Sequence, residues 1–175
     1  RRAAQALLDH AVARVPPRAV RVDRAQLRAQ DRGAQRRKID AQCAAWNARY
    51  RVVEEGLRGT PGLTLVERPE AERYVGSSIQ VLLLDWAPEA VQEVVQRCLG
   101  RGVELKWFGG AEPTGFTSRY DSWRYAPSEP MPKSDRILRG IIDMRLPLTF
   151  SLEDCALIAR IIRAEVGAVW QEKAA

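Results

Sequence analysis

Between Tyr74 and Trp107 the spacing of apolar and polar positions changes period twice. Tyr74 to Leu84 ends in Ile79, Val81, Leu82, Leu83 and Leu84. The run is too rich in branched and apolar side chains for a surface loop and too short before Asp85 for a buried helix, so it predicts a strand. Pro88 suits the first turn of a helix, where its missing N–H costs nothing. Ala90, Val91, Val94, Val95, Cys98 and Leu99 follow at three- and four-residue spacing and make one apolar stripe. Gly100 and Gly102 flank Arg101 and can end that helix with a positive backbone angle. Val103, Leu105 and Trp107 then alternate with Glu104 and Lys106, the pattern of a strand with one buried face. A strand–helix–strand unit cannot close a core alone, so the flanking chain must add strands and another helix.

The flanks supply candidates. Ala3, Leu7, Leu8, Ala11 and Val12 outline a short helix over residues 3–15, stopped by Pro16-Pro17. Residues 18–23 read as a short strand or linker. A long helix is predicted from about Arg24 to Leu57, with Gly33 as a point of bending and a better-packed second half marked by Ile39, Cys43, Trp46, Tyr50, Val53 and Leu57. A helix of that length is expected to project from a small domain or to bridge two bodies. Residues 62–66 read as a short strand and residues 134–142 as a short helix. Residues 143–150 are extended, and Pro147 assigns them to an edge strand or an irregular segment. Ser151 and Asp154 form a capping-box-like start for a final helix carrying Leu152, Cys155, Ile158, Ile162 and Val166. Residues 108–132 break every period. They hold four prolines, three glycines and the aromatics Phe108, Phe116, Tyr120, Trp123 and Tyr125, a loop long enough to suggest function and apolar enough to require a surface to pack on. The expected organisation is a helical, arginine-rich connecting region over 1–57 and a small α/β domain over 58–175. That domain is a mixed or antiparallel sheet covered by helices, with an aromatic loop over 108–132.

Composition narrows the classes. A chain of 175 residues, 46% hydrophobic and 29% charged, is expected to fold as one ordinary domain with a helical extension. Its longest apolar run, Val81–Leu84, falls far short of the roughly 20 residues of a membrane span. No apolar h-region follows Arg1-Arg2, so no secretory leader is expected, and the setting is expected to be cytoplasmic. The chain opens without methionine, and a trimmed product, a fragment or the ordered part of something longer is expected. Cys43, Cys98 and Cys155 lack paired spacing and read as buried thiols. One histidine, His10, and no CxxC leave no multi-histidine metal site. The net charge of +6 is uneven: residues 1–51 hold twelve arginines and Lys38 against four aspartates, a balance of +9. Such an arm can meet nucleic acid or an acidic partner, but no recognition motif accompanies it, and a solvated helix face is the preferred reading.

No strong catalytic signature is present: no GxGxxG, Walker lysine motif or GxSxG elbow. Ser77 and Ser78, after Gly76, can present hydroxyls and backbone N–H groups to an anion, though small residues inside a strand are the preferred reading. Gly109 and Gly110 can form an anion-binding nest or simply a turn. Arg119, Arg124 and Arg145 lie near aromatics or an apolar segment, and a guanidinium suits a bidentate grip on carboxylate or phosphate. Asp121 and Asp143 read as partners for those arginines. Lys106 is the one lysine near a plausible pocket, on the polar side of its strand by default.

The order of elements resembles a known family. Trp46-Asn47-Ala48-Arg49-Tyr50 lies on the long helix, and Pro61-Gly62-Leu63 follows its exit. Then come the helix from Pro88, Arg101-Gly102-Val103, Leu146-Pro147-Leu148 and Ser151-Leu152-Glu153-Asp154. This resembles the C-terminal, small-domain part of the sugar- and antibiotic-type pyridoxal-phosphate aminotransferases, the DegT/DnrJ/EryC1/StrS family, over roughly residues 25–170. The family's "N-x-x-Y", "RGI"-like and "LPL" elements match Asn47 to Tyr50, Arg101 to Val103 and Leu146 to Leu148. The sequence departs at Trp107-Phe108-Gly109-Gly110, where the family usually has a Pro-Leu-His-like segment, and it offers no counterpart to the Schiff-base lysine or the aspartate that holds the pyridine nitrogen.

The resemblance implies a small α+β domain of a fold-type I enzyme and transfer of an amino group to a sugar or other small keto substrate. It also implies pyridoxal phosphate held mainly by a domain absent from this chain, and a large cofactor-binding domain or companion subunit as partner, in a homo-oligomer, a dimer in the family. No catalytic residue is expected within these residues, and no cofactor on the isolated chain. Substrate or partner contact is expected from Lys106, Trp107, Arg119, Tyr120, Trp123, Arg124 and Arg145, and anion contact from Ser77, Ser78, Gly109 and Gly110. A non-enzymatic protein-binding module of the same fold, and a basic helical nucleic-acid binder, are the alternatives.

Overall fold

The computed structural model describes residues 24–110 and 129–174, with side chains from residue 35 onward in the first helix. The predicted helix over 3–15, the segment 18–23, His10 and most of the aromatic loop lie outside the described residues. By its contacts the chain divides into two units, Arg1–Ala41 and Gln42–Ala175. Helix α1 (Arg24–Leu57) begins in the first unit and is unbroken at Gly33; its residues 35–40, Ile39 included, are exposed, and its residues from Gln42 onward belong to the second unit.

The second unit holds the sheet and the core. From the last turns of α1 the chain passes through β1 (Thr64–Leu65), β2 (Ser78–Leu82), α2 (Pro88–Gly100), β3 (Lys106–Trp107), α3 (Pro132–Gly140), β4 (Ile141–Arg145) and α4 (Leu152–Ala174). The four strands pair antiparallel in the order β1-β2-β4-β3. This is the expected antiparallel sheet covered by helices and entered from a long helix. One face of the sheet carries Ile79 and Val81 of β2 opposite Met144 and Ile142 of β4, all buried. Against them pack Tyr50, Val53 and Leu57 from α1, Val91, Val94 and Cys98 from α2, and Cys155, Ala159, Ile162, Val166 and Val169 from α4. The stripes read from the sequence on α2 and α4 are buried through most of their length, but Leu99 at the end of α2 and Leu152 at the start of α4 are exposed. Each fully buried Leu, Ile or Val contributes about 1.5–3 kcal/mol relative to an exposed one.

Two expectations need correction. The extended segment 143–150 was assigned to an edge strand or irregular chain, yet its first residues belong to β4, which lies between β2 and β3. Pro147 does not interfere because the strand ends at Arg145, two residues before it, and Leu146 N–H donates to the Ser77 carbonyl at 2.9 Å. The strand expected over 103–107 is paired only at Lys106 and Trp107, because Val103 turns back to close the end of α2. There Val103 N–H donates to the Cys98 carbonyl and Gly102 N–H to the Leu99 carbonyl, both at 2.9 Å, with Gly102 at φ +82°.

One turn of α1 ties the irregular segments to the core. The Asn47 side chain brackets the approach to β2: its Nδ2 donates to the Tyr74 carbonyl at 3.1 Å and its Oδ1 accepts from Gly76 N–H at 2.7 Å. Gly76 lies so close to the Tyr50 side chain that a β-carbon there would collide with it. Arg49 reaches the other way. Its Nε donates to the Phe150 carbonyl at 2.6 Å, one terminal nitrogen to the Leu148 carbonyl at 3.0 Å and the other to the Ala45 carbonyl at 2.9 Å. Tyr50 is buried, meets Tyr74 edge-on at 5.2 Å, and accepts a bond from Arg68, whose guanidinium lies 4.4 Å from the Tyr74 ring centre. At the start of α4 the capping box is complete: Asp154 N–H donates to Ser151 Oγ at 3.0 Å, and Ser151 N–H donates to Asp154 Oδ2 at 2.8 Å.

Hydrogen bonds from a charged group contribute about 1.5–3 kcal/mol each, so Arg49→Ala is expected to lower the thermal midpoint markedly. Arg49→Lys should recover little of the loss, since an ammonium lacks the fork that spans two carbonyls; a thermal melt of both variants checks this. The bonds from Ser151 hold the Asp154 carboxyl below the usual carboxylate range. Its contribution is therefore present above the unfolded-state pKa and lost as pH falls through the lower folded-state value. Asp154→Asn should lose less stability than the parent between about pH 6 and about pH 3, measured by denaturant titration at each pH.

Candidate functional site

The face of the sheet opposite the core is polar, and the register shows why. Gln80 of β2, Asp143 of β4 and Lys106 of β3 lie in one row across three strands, and Ser78 lies opposite Arg145 in the next. In a pleated sheet, residues paired this way share a face. Asp143 is only 7% exposed although its side chain is acidic. Gln80 Nε2 satisfies it, donating to Asp143 Oδ1 at 2.5 Å, and also reaches Ser78 Oγ at 3.0 Å. Sequence reasoning paired Asp143 with an arginine. The structure gives it Gln80 instead, and neither Lys106 nor Arg145 comes within 4 Å of it as an ion pair among the described residues.

Beside this row a pocket of about 620 Å³ opens where β3 and β4 part. Gly102, Val103, Glu104 and Lys106 form one side, Asp143, Met144 and Arg145 the other, and Pro147, Phe150 and Ile158 close the end toward α4. Its volume is in the range of small-molecule sites, with apolar walls and a few charged groups, as such sites usually have. Arg49 positions the Phe150 wall through its bonds to the backbone of Leu148 and Phe150.

The candidate residues distribute unevenly around this pocket. Lys106 and Arg145 line it, and Ser78 sits across from Arg145 on the same sheet face. The Lys106 ammonium lies 5.4 Å from the Phe108 ring centre, within cation–π range. Trp107 points to the other side of its strand, half-buried against the core, with its indole N–H on the Arg139 carbonyl at 2.8 Å. Ser77 has both backbone groups engaged: its N–H bonds to the Val75 carbonyl at 2.8 Å, and its carbonyl accepts from Leu146. Gly109 packs on the backbone of Arg139, where an added β-carbon would approach within 2.7 Å, a reason for glycine that needs no anion. Gly110 follows directly after the turn at Phe108 and Gly109. Arg119, Tyr120, Trp123 and Arg124, like Asp121, lie outside the described residues. Sequence reasoning passed over Gln80, Glu104, Phe150 and Ile158 as site residues; the alternation of Gln80 with Ile79 and Val81 was the available signal for the first, while the others meet only through the tertiary fold.

Of the three thiols expected to be buried, Cys98 and Cys155 are and Cys43 is only half-buried. Burial pushes Cys98 up to about 12, with the Glu165 carboxylate adding to the effect, and burial also raises Cys155, which disfavours either as a nucleophile. Among the described residues no group of three or more His, Cys, Asp and Glu could hold a metal ion, and no helix is long and apolar enough to cross a membrane. The residues expected to contact an anion build no phosphate cradle here: Ser77 has its backbone N–H and carbonyl engaged within the fold, and Gly109 packs on the backbone of Arg139.

No family model and no curated protein matches the chain. Solved structures do share its fold. An aminotransferase, TlmJ, from Streptoalloteichus hindustanus superimposes with a TM-score of 0.60 at 17% identity, covering 78% of this chain and 35% of that one. 3-Amino-5-hydroxybenzoic acid synthase gives 0.57 at 18%, covering 74% and 35%. DesI, solved in the presence of its TDP-sugar product, gives 0.58 at 12%, covering 77% and 34%. The chain therefore spans about a third of the length of these proteins, and what it has in common with them is the fold of that third.

Proposed function

We propose that this chain is the small-domain part of a pyridoxal-phosphate-dependent aminotransferase of the DegT/DnrJ/EryC1/StrS type, acting on a sugar or other small keto substrate. The observation that carries the reading is the shared fold, which extends over most of the chain and reaches proteins described as an aminotransferase and as sugar- and aminobenzoate-related enzymes. The motifs named from the sequence support it independently. In this structure Asn47, Arg49 and Tyr50, Leu146 to Leu148, and Ser151 to Asp154 are the residues that tie the domain together.

In this reading the cofactor, its lysine and the acid–base steps belong to a large domain or companion subunit in a homodimeric, cytoplasmic enzyme. When bound there, the cofactor supplies the electron sink for amino transfer. The present chain does the binding. Lys106 and Arg145 face the ligand from the sheet, and Arg119, Tyr120, Trp123 and Arg124 contribute from the segment after β3. Trp107 fixes the start of that segment through its bond to Arg139.

The test is to purify the native protein from its source without added cofactor and to record its mass and absorbance. The expected result is an assembly heavier than this 175-residue chain, with a visible cofactor band that borohydride fixes onto a lysine outside these residues. A colourless species of this chain alone, still colourless after pyridoxal phosphate is added, would overturn the catalytic reading and leave a protein-binding module of the same fold.

A further inference from the structure

Asp85, in the turn between β2 and α2, is the one residue other than glycine among those described with a left-handed backbone, at φ +62°. Glycine takes that conformation freely, whereas a side chain is strained there. Aspartate tolerates it better than most and brings a carboxylate. Arg136 of α3 grips both oxygens of that carboxylate. Its Nε and one terminal nitrogen donate to Oδ1 at 3.1 and 2.8 Å, and the same terminal nitrogen reaches Oδ2 at 2.9 Å. The body of α3 is shallowly seated: of its nine residues only Gly140 is buried, and Ile137 is exposed. Its C-terminal end is fixed tightly. Leu83 N–H donates to the Gly140 carbonyl at 2.8 Å, a β-carbon on Gly140 would come within 2.6 Å of the Leu83 carbonyl oxygen, and Trp107 holds the Arg139 carbonyl.

We propose that α3 is a latched flap: it is hinged at Gly140, and the Asp85–Arg136 pair holds its body down against the turn after β2. The strained turn is then kept for its carboxylate, since a glycine would relax the backbone and leave the helix unheld. The two side chains are 67% and 69% exposed, so the latch draws its strength from the two-point grip and not from burial, and salt screens it. A helix with so little buried surface can open locally while the core stays folded. The hinge lies at the start of β4, a strand paired on both sides, so release leaves the register of Lys106 and Asp143 intact. Latch, hinge and helix all belong to this chain, and the device stands or falls independently of the aminotransferase reading.

Hydrogen–deuterium exchange on the full chain in its native assembly, read by mass spectrometry over α3, decides it. Asp85→Asn keeps a residue that tolerates the left-handed turn and removes only the charge; Arg136→Gln removes the other partner. Each is expected to speed exchange of the α3 amides about threefold to fivefold while α2 and α4 exchange as in the parent. The double variant should be no faster than either single one, because both remove the same interaction. Raising salt from about 0.05 M to about 1 M should speed α3 exchange in the parent and leave the variants nearly unchanged. Parent-like exchange of α3 in both single variants would overturn the proposal. So would acceleration spread equally over α2 and α4, which marks a general loss of stability, or additive effects in the double variant, which show that the two residues act separately.

Discussion

The fork of Arg49 is the interaction on which the arrangement of this domain depends most. Two of its nitrogens hold the carbonyls of Leu148 and Phe150, in a segment where Pro147 withholds one backbone donor and no strand partner is offered. Buried or half-buried carbonyls without partners are costly, and an irregular segment has no ladder to supply them. A guanidinium delivered from a neighbouring helix solves that problem from outside. Asn47, half a turn away, does the same for the irregular approach to β2. One short stretch of α1 thus fixes both the entry to β2 and the exit from β4, and with them the relative placement of the polar face and the Phe150 wall.

That stretch also explains what was legible in the sequence. Periodicity found α1, α2 and α4 because each buries a stripe of repeated small and branched residues, and the Ser151–Asp154 spacing announced the start of α4. Lys106 was placed on the polar side of its strand by simple alternation with Leu105 and Trp107. Where reading failed, the determinants were not local. Pro147 signalled an edge, but the strand it follows ends two residues earlier and is flanked on both sides. Asp143 was paired with an arginine because arginine is the commonest answer to a nearby carboxylate. Its partner is Gln80, distant in the chain and reachable only once β2 and β4 are in register. The pocket itself arises from a divergence of strands that no spacing encodes.

The polar face and the core face are bound by the same pleat. Each of β2 and β4 presents buried apolar residues to the helices and charged or amide side chains to the other side, so a slip of one residue in their pairing would bury Gln80 and Asp143 against α2 and α4. The apolar core therefore protects the register of the row that includes Lys106. Stability and site geometry are one specification, written twice on alternate residues.

The strand order has a kinetic side. β2 and β3 both pair with β4 and not with each other, although β4 is the last strand to be made. Joining β2 to β4 requires spanning the chain from Leu83 to Gly140, and joining β3 to β4 the chain from Phe108 to Gly140, which raises contact order and slows folding relative to a meander of hairpins. The entropy of closing such a loop grows only by about 0.6 kcal/mol for each doubling of its length. Once the domain must already close this long a loop, further residues inserted between Trp107 and Pro132 add little. The fold is thus lenient about length in the one stretch where the sequence departs most from regular structure, and new contact surface can accumulate there without disturbing the sheet.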